Sequence, residues 1–575
     1  MSTPEGGAEP PKDAASSASS ADSAEVEPWW ALTHPWMFAS LPLLVLLVGN
    51  RHVITASDGG RVWLIVLAVA TVVYGLAALV LRGASRGALV ASPFLYMSQN
   101  FAPLVSSVSM LTGATVAGGL ERGIALGIVL AVSPALLVPG RSAARRCRLN
   151  QGLTVVGGGL LLLQTPMLLF AGVQSGAFPR PLRFPALTTR AAQSETRPHV
   201  VICIVDGMGR ADLYRELYDL DLSAEVAGFE ALGFEVADEA WSDYPLTSVA
   251  VPSMFNMQRV ERLKEAVEGP EPTSLELANT VVHSELSRLL RPLGYRTVHV
   301  DGGVEHFARG GFDETLGPTA ERRMTELDRL VIMRSLPGQL GLVSSGRLGE
   351  VIDPFAYHRR CVRYGFSRLP ELLRSETPTL AFCHILTPHA PFLFNADGTA
   401  TDEFLGLSSQ GTPFAEGSEL HDNDPERQAL YREACRRQAA FALRRALEAS
   451  REALQSAARP AILLVTGDHG PGCWHDHTKP DRTLHRERFA IFHALHMPAG
   501  RRFALPERTT PIGTLRRAMN AGFGLDLPEA EVRMTYVPIG RPFAATDVTE
   551  RIAREVRMGA TEPLSEPAPE DREGR

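Results

Sequence analysis

Two patterns of hydrophobic and polar positions divide the chain. Between residues 28 and 179, five stretches carry no charged residue: 28–50, 62–81, 87–120, 123–140 and 149–179. Each is long enough to hold a helix crossing a hydrocarbon core of about 30 Å, and helices in soluble cores rarely run so long without a charge. In the third stretch, Pro93, Gln99 and Asn100 mark a short interfacial or re-entrant piece before one span. From residue 198 the pattern changes. Short apolar runs at 198–205, 296–300, 378–385 and 461–466 alternate with helical stretches at 211–219, 282–292 and 425–457, and a last helix is expected near 511–523. Buried strands separated by helices predict an α/β fold, a doubly wound and mostly parallel sheet with both faces covered. An all-α polytopic membrane domain precedes it.

The expected organisation is a disordered tail over 1–27, about five transmembrane helices over 28–177, a linker over 178–196, a soluble unit over 197–548 and a disordered tail over 556–575. The first tail is rich in Ser, Ala, Pro and acids and lacks the basic start of a cleaved signal peptide. The linker holds Pro179, Pro181 and Pro185 and shows no periodicity. Basic loops set the orientation. Arg141, Arg145, Arg146 and Arg148 form the most basic loop, and Arg82 and Arg86 flank another. With both on the cytoplasmic side, five spans put everything after about residue 177 outside an inner (cytoplasmic) membrane. Trp29, Trp30 and Trp36 suit an interfacial aromatic belt at the first span.

Composition adds limits. A chain of 575 residues is too long for one ordinary domain. The net charge of −7 gives no support for nucleic-acid binding. The six cysteines show no regular spacing, so neither a disulfide framework nor a Cys-x-x-Cys zinc ribbon is expected. Cys203 and Cys383 fall inside apolar strand-like runs, where a buried free thiol is the usual state.

Candidate chemistry lies where the strands stop. His-Val-Val-Ile-Cys-Ile-Val-Asp-Gly-Met-Gly puts Asp206 at a strand end beside two glycines that permit a tight turn. Leu-Leu-Val-Thr-Gly-Asp-His-Gly puts Asp468 and His469 at another. Tyr-Pro-Leu-Thr-Ser-Val-Ala-Val-Pro-Ser-Met-Phe-Asn puts Thr247 before apolar residues suited to a buried helix start, where it is either a helix cap or a nucleophile favoured by the helix N-terminus. Phe-Cys-His-Ile-Leu-Thr-Pro-His-Ala-Pro-Phe ends a strand at His384 and sets His389 between two prolines, placed to contact a phosphate oxygen or a leaving group. His384 suits a supporting role. Open α/β sheets bind ligands at the carboxyl ends of their strands. Two carboxylates, a hydroxyl and an imidazole converging there make a good site for a divalent ion.

Together these segments resemble the alkaline phosphatase/sulfatase superfamily, over about residues 195–545. They are more similar to its membrane-anchored branch, which includes lipoteichoic acid synthases and phosphoethanolamine transferases. Asp206-Gly207-Met208-Gly209 matches the alkaline phosphatase form of the first metal motif, and Asp468-His469-Gly470 matches the second. The spacing of Thr247, Pro252 and Met254-Phe255 matches the nucleophile segment of the transferases, and Pro388-His389-Ala390-Pro391-Phe392 the loop with the substrate-contacting histidine. The resemblance implies Asp206, Thr247, Asp468 and His469 as ligands of one zinc or manganese ion, with room for a second. It also implies a phospho-threonine at Thr247 and substrate contact from His389. The downstream histidine of the family is His475 or His477, with His477 preferred.

Three departures stand out. The transferases carry Glu where this chain has Asp206, their cysteine-rich pattern is missing, and the register after His469 is ambiguous. The Cys/Ser-x-Pro-x-Arg segment of sulfatases is also missing, since Val251-Pro252-Ser253-Met254-Phe255 supplies neither end. The expectation is a membrane-anchored phosphotransferase or phosphoester hydrolase acting on a membrane lipid and an envelope acceptor. The alternatives are a sulfuric ester hydrolase, a catalytically silent membrane scaffold and, more remotely, a cofactor-independent phosphomutase.

Overall fold

The computed structural model describes residues 27–49, 54–112, 120–135, 142–174, 180–267, 269–302, 307, 311–318, 324–342, 352–407, 424–500 and 503–564. Most of the two expected tails, 1–26 and 565–575, lies outside them.

The apolar stretches fold as α1 (His34–Gly49), α2 (Ala56–Val80), α3 (Ala84–Gln99), α4 (Phe101–Thr112), α5 (Leu120–Ala135) and α6 (Ala143–Gln174). The third stretch thus forms two helices that meet at Asn100, whose side chain donates to the Tyr96 carbonyl. Among the described residues, α2 alone is long and apolar enough to cross a membrane by itself. It packs Val62, Val66 and Ala70 inward against Leu43, Ala91 and Leu95 and turns Leu64, Val69, Val72, Leu76 and Leu79 outward.

The second half is built on seven strands: β1 (His199–Val205), β2 (Phe234–Val236), β3 (Arg296–Gly302), β4 (Glu314–Leu316), β5 (Thr379–Ile385), β6 (Ala461–Thr466) and β7 (His493–His496). Their order is β2-β7-β6-β1-β5-β3-β4. All neighbours are parallel except where β7 meets β2 and β6, so the mostly parallel sheet is as the alternation predicts. β7 and the short edge strands β2 and β4 had no distinct apolar signal.

Every residue of β1, β5 and β6 is buried, because both faces are covered. On one face Val201, Cys203 and Val205 meet α7 (Ala211–Tyr218) and two longer helices, at 354–373 and 425–455. On the other, Val200, Ile202 and Ile204 meet the helices at 247–256, 274–282 and 511–523. Burying each such side chain stabilises the fold by about 1.5–3 kcal/mol before entropy is counted. The helix expected at 282–292 is Glu285–Leu290 with a 3-10 turn at Arg291–Leu293, and Ser284 caps it through the Ser287 amide; the helix Ser274–Val282 before it has no counterpart among the expected helices. The amphipathic helix 354–373 was not anticipated. The final helix, Thr549–Met558, takes in residues 556–558, so the tail expected from residue 556 starts later.

The expected linker carries no regular structure over 180–196, but it is strapped down. Arg180 pairs with Glu276 at 2.7 Å, and the Leu187 and Arg190 amides donate to Glu285 and Asp526. Phe184 is buried beside Tyr244, Leu246 and Val249. The α/β half also reaches back to the helical bundle. Two helices, Glu326–Arg334 and Leu336–Gln339, set Leu327 among the apolar residues of α1–α3 and Leu336 and Leu340 beside those of α4 and α5. Arg61 of α2 pairs with Asp328 at 2.7 Å.

Candidate metal centre

Register brings the ends of the three central strands side by side. Ile204 of β1 lies opposite His384 of β5 and Thr466 of β6. Asp206 therefore follows β1, and Asp468-His469 follows β6, at the same edge. The loops can close because Gly467 has no side chain: a Cβ there would sit 2.3 Å from the Met208 carbonyl oxygen. Gly207 adopts φ +76 with the His389 backbone against it, a conformation that favours glycine. The Gly207 amide donates to Asp468 Oδ1 at 3.2 Å, and the His389 amide donates to the Asp206 carbonyl at 3.0 Å.

Ligand atoms of Asp206, Asp468 and His469 all lie within 4.8 Å of one another, and all three residues are buried. Asp206 Oδ1 and Asp468 Oδ2 stand 3.6 and 3.5 Å from His469 Nε2. Neither oxygen accepts a hydrogen bond. The other oxygens are satisfied: His384 Nε2 donates to Asp206 Oδ2 at 2.9 Å, and Gly207 serves Asp468 Oδ1. Buried carboxylate oxygens without a donor are costly and uncommon. Two of them aimed at an imidazole nitrogen fit a cation between them. His469 Nδ1 donates to the Gly470 carbonyl at 2.9 Å, which leaves the lone pair on Nε2, the tautomer a metal needs. Burial works against the charge on Asp206, but the nearby histidines 389, 384 and 469 and the His384 hydrogen bond outweigh it and hold the carboxyl at about 2.

Thr247 is the first residue of its helix, Thr247–Asn256, and Leu246 occupies the cap position. Its hydroxyl caps nothing; it lies 3.1 Å from His469 Nε2. Thr247 thus meets the Asp206, Asp468 and His469 cluster at the His469 ring.

His389 stands nearby, its ring centre 6.1 Å from that of His469, with Nδ1 donating to the Ala390 carbonyl. His477 lies on the loop after His469, half-buried, its ring 4.6 Å from that of His475. The ring of His475 in turn faces Tyr536.

Two supporting residues had no motif to reveal them. Gln438, 1% exposed in the helix 425–455, donates to the carbonyls of Pro388, His389 and Pro391 and accepts from the Leu393 and Phe394 amides. One side chain thereby fixes the whole His389 loop. The second, Arg488, is buried against His469. A polar residue in the buried stripe of an amphipathic helix was the available signal for Gln438.

No family model and no curated protein matches the chain. Among solved structures it is similar to the C-terminal periplasmic domain of EcEptC from Escherichia coli, at 14% identity and TM-score 0.39, covering 63% of this chain and 96% of that one. That domain is also solved in complex with Zn. The chain is similar as well to the integral membrane lipooligosaccharide phosphoethanolamine transferase A from Neisseria meningitidis, at 11% identity and TM-score 0.36, covering 85% and 95%. A third is an alkaline phosphatase superfamily protein from Vibrio parahaemolyticus, at 13% identity and TM-score 0.35, covering 62% and 77%. Likenesses of this size transfer no residue role to the present chain.

Proposed function

We propose that the chain is an integral membrane, metal-dependent phosphotransferase or phosphoester hydrolase with Thr247 as its nucleophile. The observation that carries this is the meeting of the Thr247 hydroxyl, two donorless carboxylate oxygens and the lone-pair nitrogen of His469 at the strand ends. Asp206, Thr247, Asp468 and His469 are the ligand set for a zinc or manganese ion, which when bound supplies Lewis acidity and lowers the hydroxyl pKa. Thr247 Oγ1 forms a new bond to phosphorus while the ester bond of a phospholipid donor breaks. The threonine proton and the departing oxygen end together as the released alcohol. An envelope glycan or lipid hydroxyl, or water, then takes the group from Thr247. His389 contacts the transferred group, held by Gln438. His477 is assigned the outer part of the substrate site, and a second ion would need His389 together with His475 or His477.

The catalytic unit is assigned to the extracytoplasmic side of a cytoplasmic membrane. The basic loops support this side. The Arg61–Asp328 pair agrees, because the α1–α2 connection and the soluble unit must then share one face. Phosphoryl chemistry is preferred to sulfate-ester hydrolysis because the Cys/Ser-x-Pro-x-Arg segment of sulfatases is missing.

The test is capture of the intermediate. Incubation of full-length enzyme and zinc with a phospholipid labelled in its headgroup should leave the label on Thr247, located by mass spectrometry. Thr247→Ala should lose turnover by about 10³-fold or more with an unchanged melting temperature. A folded, active Thr247→Ala protein would sink the assignment.

A further inference from the structure

The reaction outlined above leaves one buried charge at the centre without a task. Arg488, in the short helix His485–Phe489, is 2% exposed. Its Nε donates to the Pro245 carbonyl at 2.8 Å and its Nη1 to the Gly470 carbonyl at 3.1 Å. Those carbonyls belong to the two segments that deliver Thr247 and His469. The third nitrogen, Nη2, lies 3.1 Å from His469 Nε2. Thr247 Oγ1 lies at the same distance from that atom, so Nη2 and Oγ1 are no more than twice that distance apart.

His469 Nε2 has one lone pair, since Nδ1 carries the proton given to Gly470. That lone pair cannot serve a metal ion and still accept from Arg488. With a metal bound, the Nη2 hydrogens lose this acceptor while Nε and Nη1 keep the guanidinium fixed on backbone carbonyls. A fixed planar guanidinium next to a nucleophile is suited to phosphoryl oxygens, which match its paired donors. Resting on the phosphoryl-transfer reading above, we infer that Arg488 binds an oxygen of the transferred phosphoryl group through Nη2, which His469 Nε2 holds in place until the metal arrives.

A simple staple between the two segments would also explain the carbonyl contacts, and the two roles separate by measurement. Full-length enzyme in detergent is titrated with zinc by competition against a chelating dye, and then with inorganic phosphate by calorimetry. Arg488→Met should bind phosphate about tenfold or more weakly, while zinc affinity holds or rises because a neighbouring positive charge has gone. Arg488→Lys, which keeps the charge without the fork, should fall between, and it decides the matter if the methionine variant does not fold. Unchanged phosphate affinity in Arg488→Met overturns the inference. So does a loss of zinc and phosphate binding in step with melting temperature in both variants. Wild-type protein that takes up neither zinc nor phosphate fails differently: it overturns the metal centre itself.

Discussion

The two halves of the molecule are built inside out relative to each other. In α2, Leu64, Leu76, Leu79 and Val80 are more than half exposed. In the α/β half, Asp206, Asp468, His469, Glu487 and Arg488 are almost wholly buried. One half gives its apolar residues to its surroundings, and the other gathers its charges in its interior. On the proposed reading hydrocarbon surrounds the first, which makes an exposed leucine inexpensive and an unpaired backbone intolerable, so helices are the answer. In the second, water outside drives apolar side chains into the sheet layers, and charges survive within only where geometry supplies partners or a ligand.

The largest test of this contrast is at the strand ends. Asp468→Asn should abolish zinc retention, measured by elemental analysis of the purified protein. Its melting temperature without metal should hold or rise, because a buried negative charge with a donorless oxygen is removed. A variant that melts lower and still holds zinc would mean that Asp468 is an ordinary structural carboxylate.

Next comes the outer face of α2. Leu76→Arg should cost about 2.5–3.5 kcal/mol of insertion if that face meets lipid, read as loss of protein from the membrane fraction. A face that meets water would accept the change within about 0.5 kcal/mol.

Gln438→Leu should come third. It strips the His389 loop of five hydrogen bonds to one side chain. We expect turnover to fall about 10–100-fold with zinc content unchanged, because the loop and not the ligand set loses its support. Zinc loss in that variant would show that the loop also builds the metal site.

The smallest effect is a pH dependence. Burial pushes the Glu487 carboxyl up to about 7, against the pull of the Tyr218 hydroxyl, the Cys473 and Trp474 amides and Arg488. The folded protein therefore holds this proton at pH values where the unfolded chain, near 4.5, has lost it. Stability from this group is present below about 4.5 and falls as pH rises to about 7, by about 1 kcal/mol per pH unit. Glu487→Gln should flatten that part of a melting-temperature-against-pH curve, and an unchanged slope would place the titration elsewhere.

Much of this was legible in the residues. β1, β5 and β6 fall within one residue of the apolar runs at 198–205, 378–385 and 461–466, because strands buried on both faces must be continuously apolar. Asp206, Asp468 and His469 follow for the same reason: a ligand just beyond such a run stands at the sheet's carboxyl edge. Elements with mixed composition were hidden. The helix 354–373 carries four arginines, none of them buried, and β7 interleaves histidines with apolar residues. The break at Asn100 gave two helices from one uncharged stretch, since hydropathy records solvent preference but not where a helix turns.

By itself the sequence determined which segments are apolar and free of charge, which strands run through the core, and which residues stand where those strands end. Those are properties of neighbouring residues along the chain, and periodicity and composition carry them. Tertiary structure alone decided the strand order, which puts β1 between β5 and β6 and so brings Asp206 to Asp468 across 262 positions of chain. It also decided that the Thr247 hydroxyl faces His469 instead of capping its helix, that Gln438 grips the His389 loop, and that Arg488 lies against His469. Each is a hydrogen bond between groups far apart in sequence. Its partner is fixed by where packed layers place the backbone, and no local pattern records that.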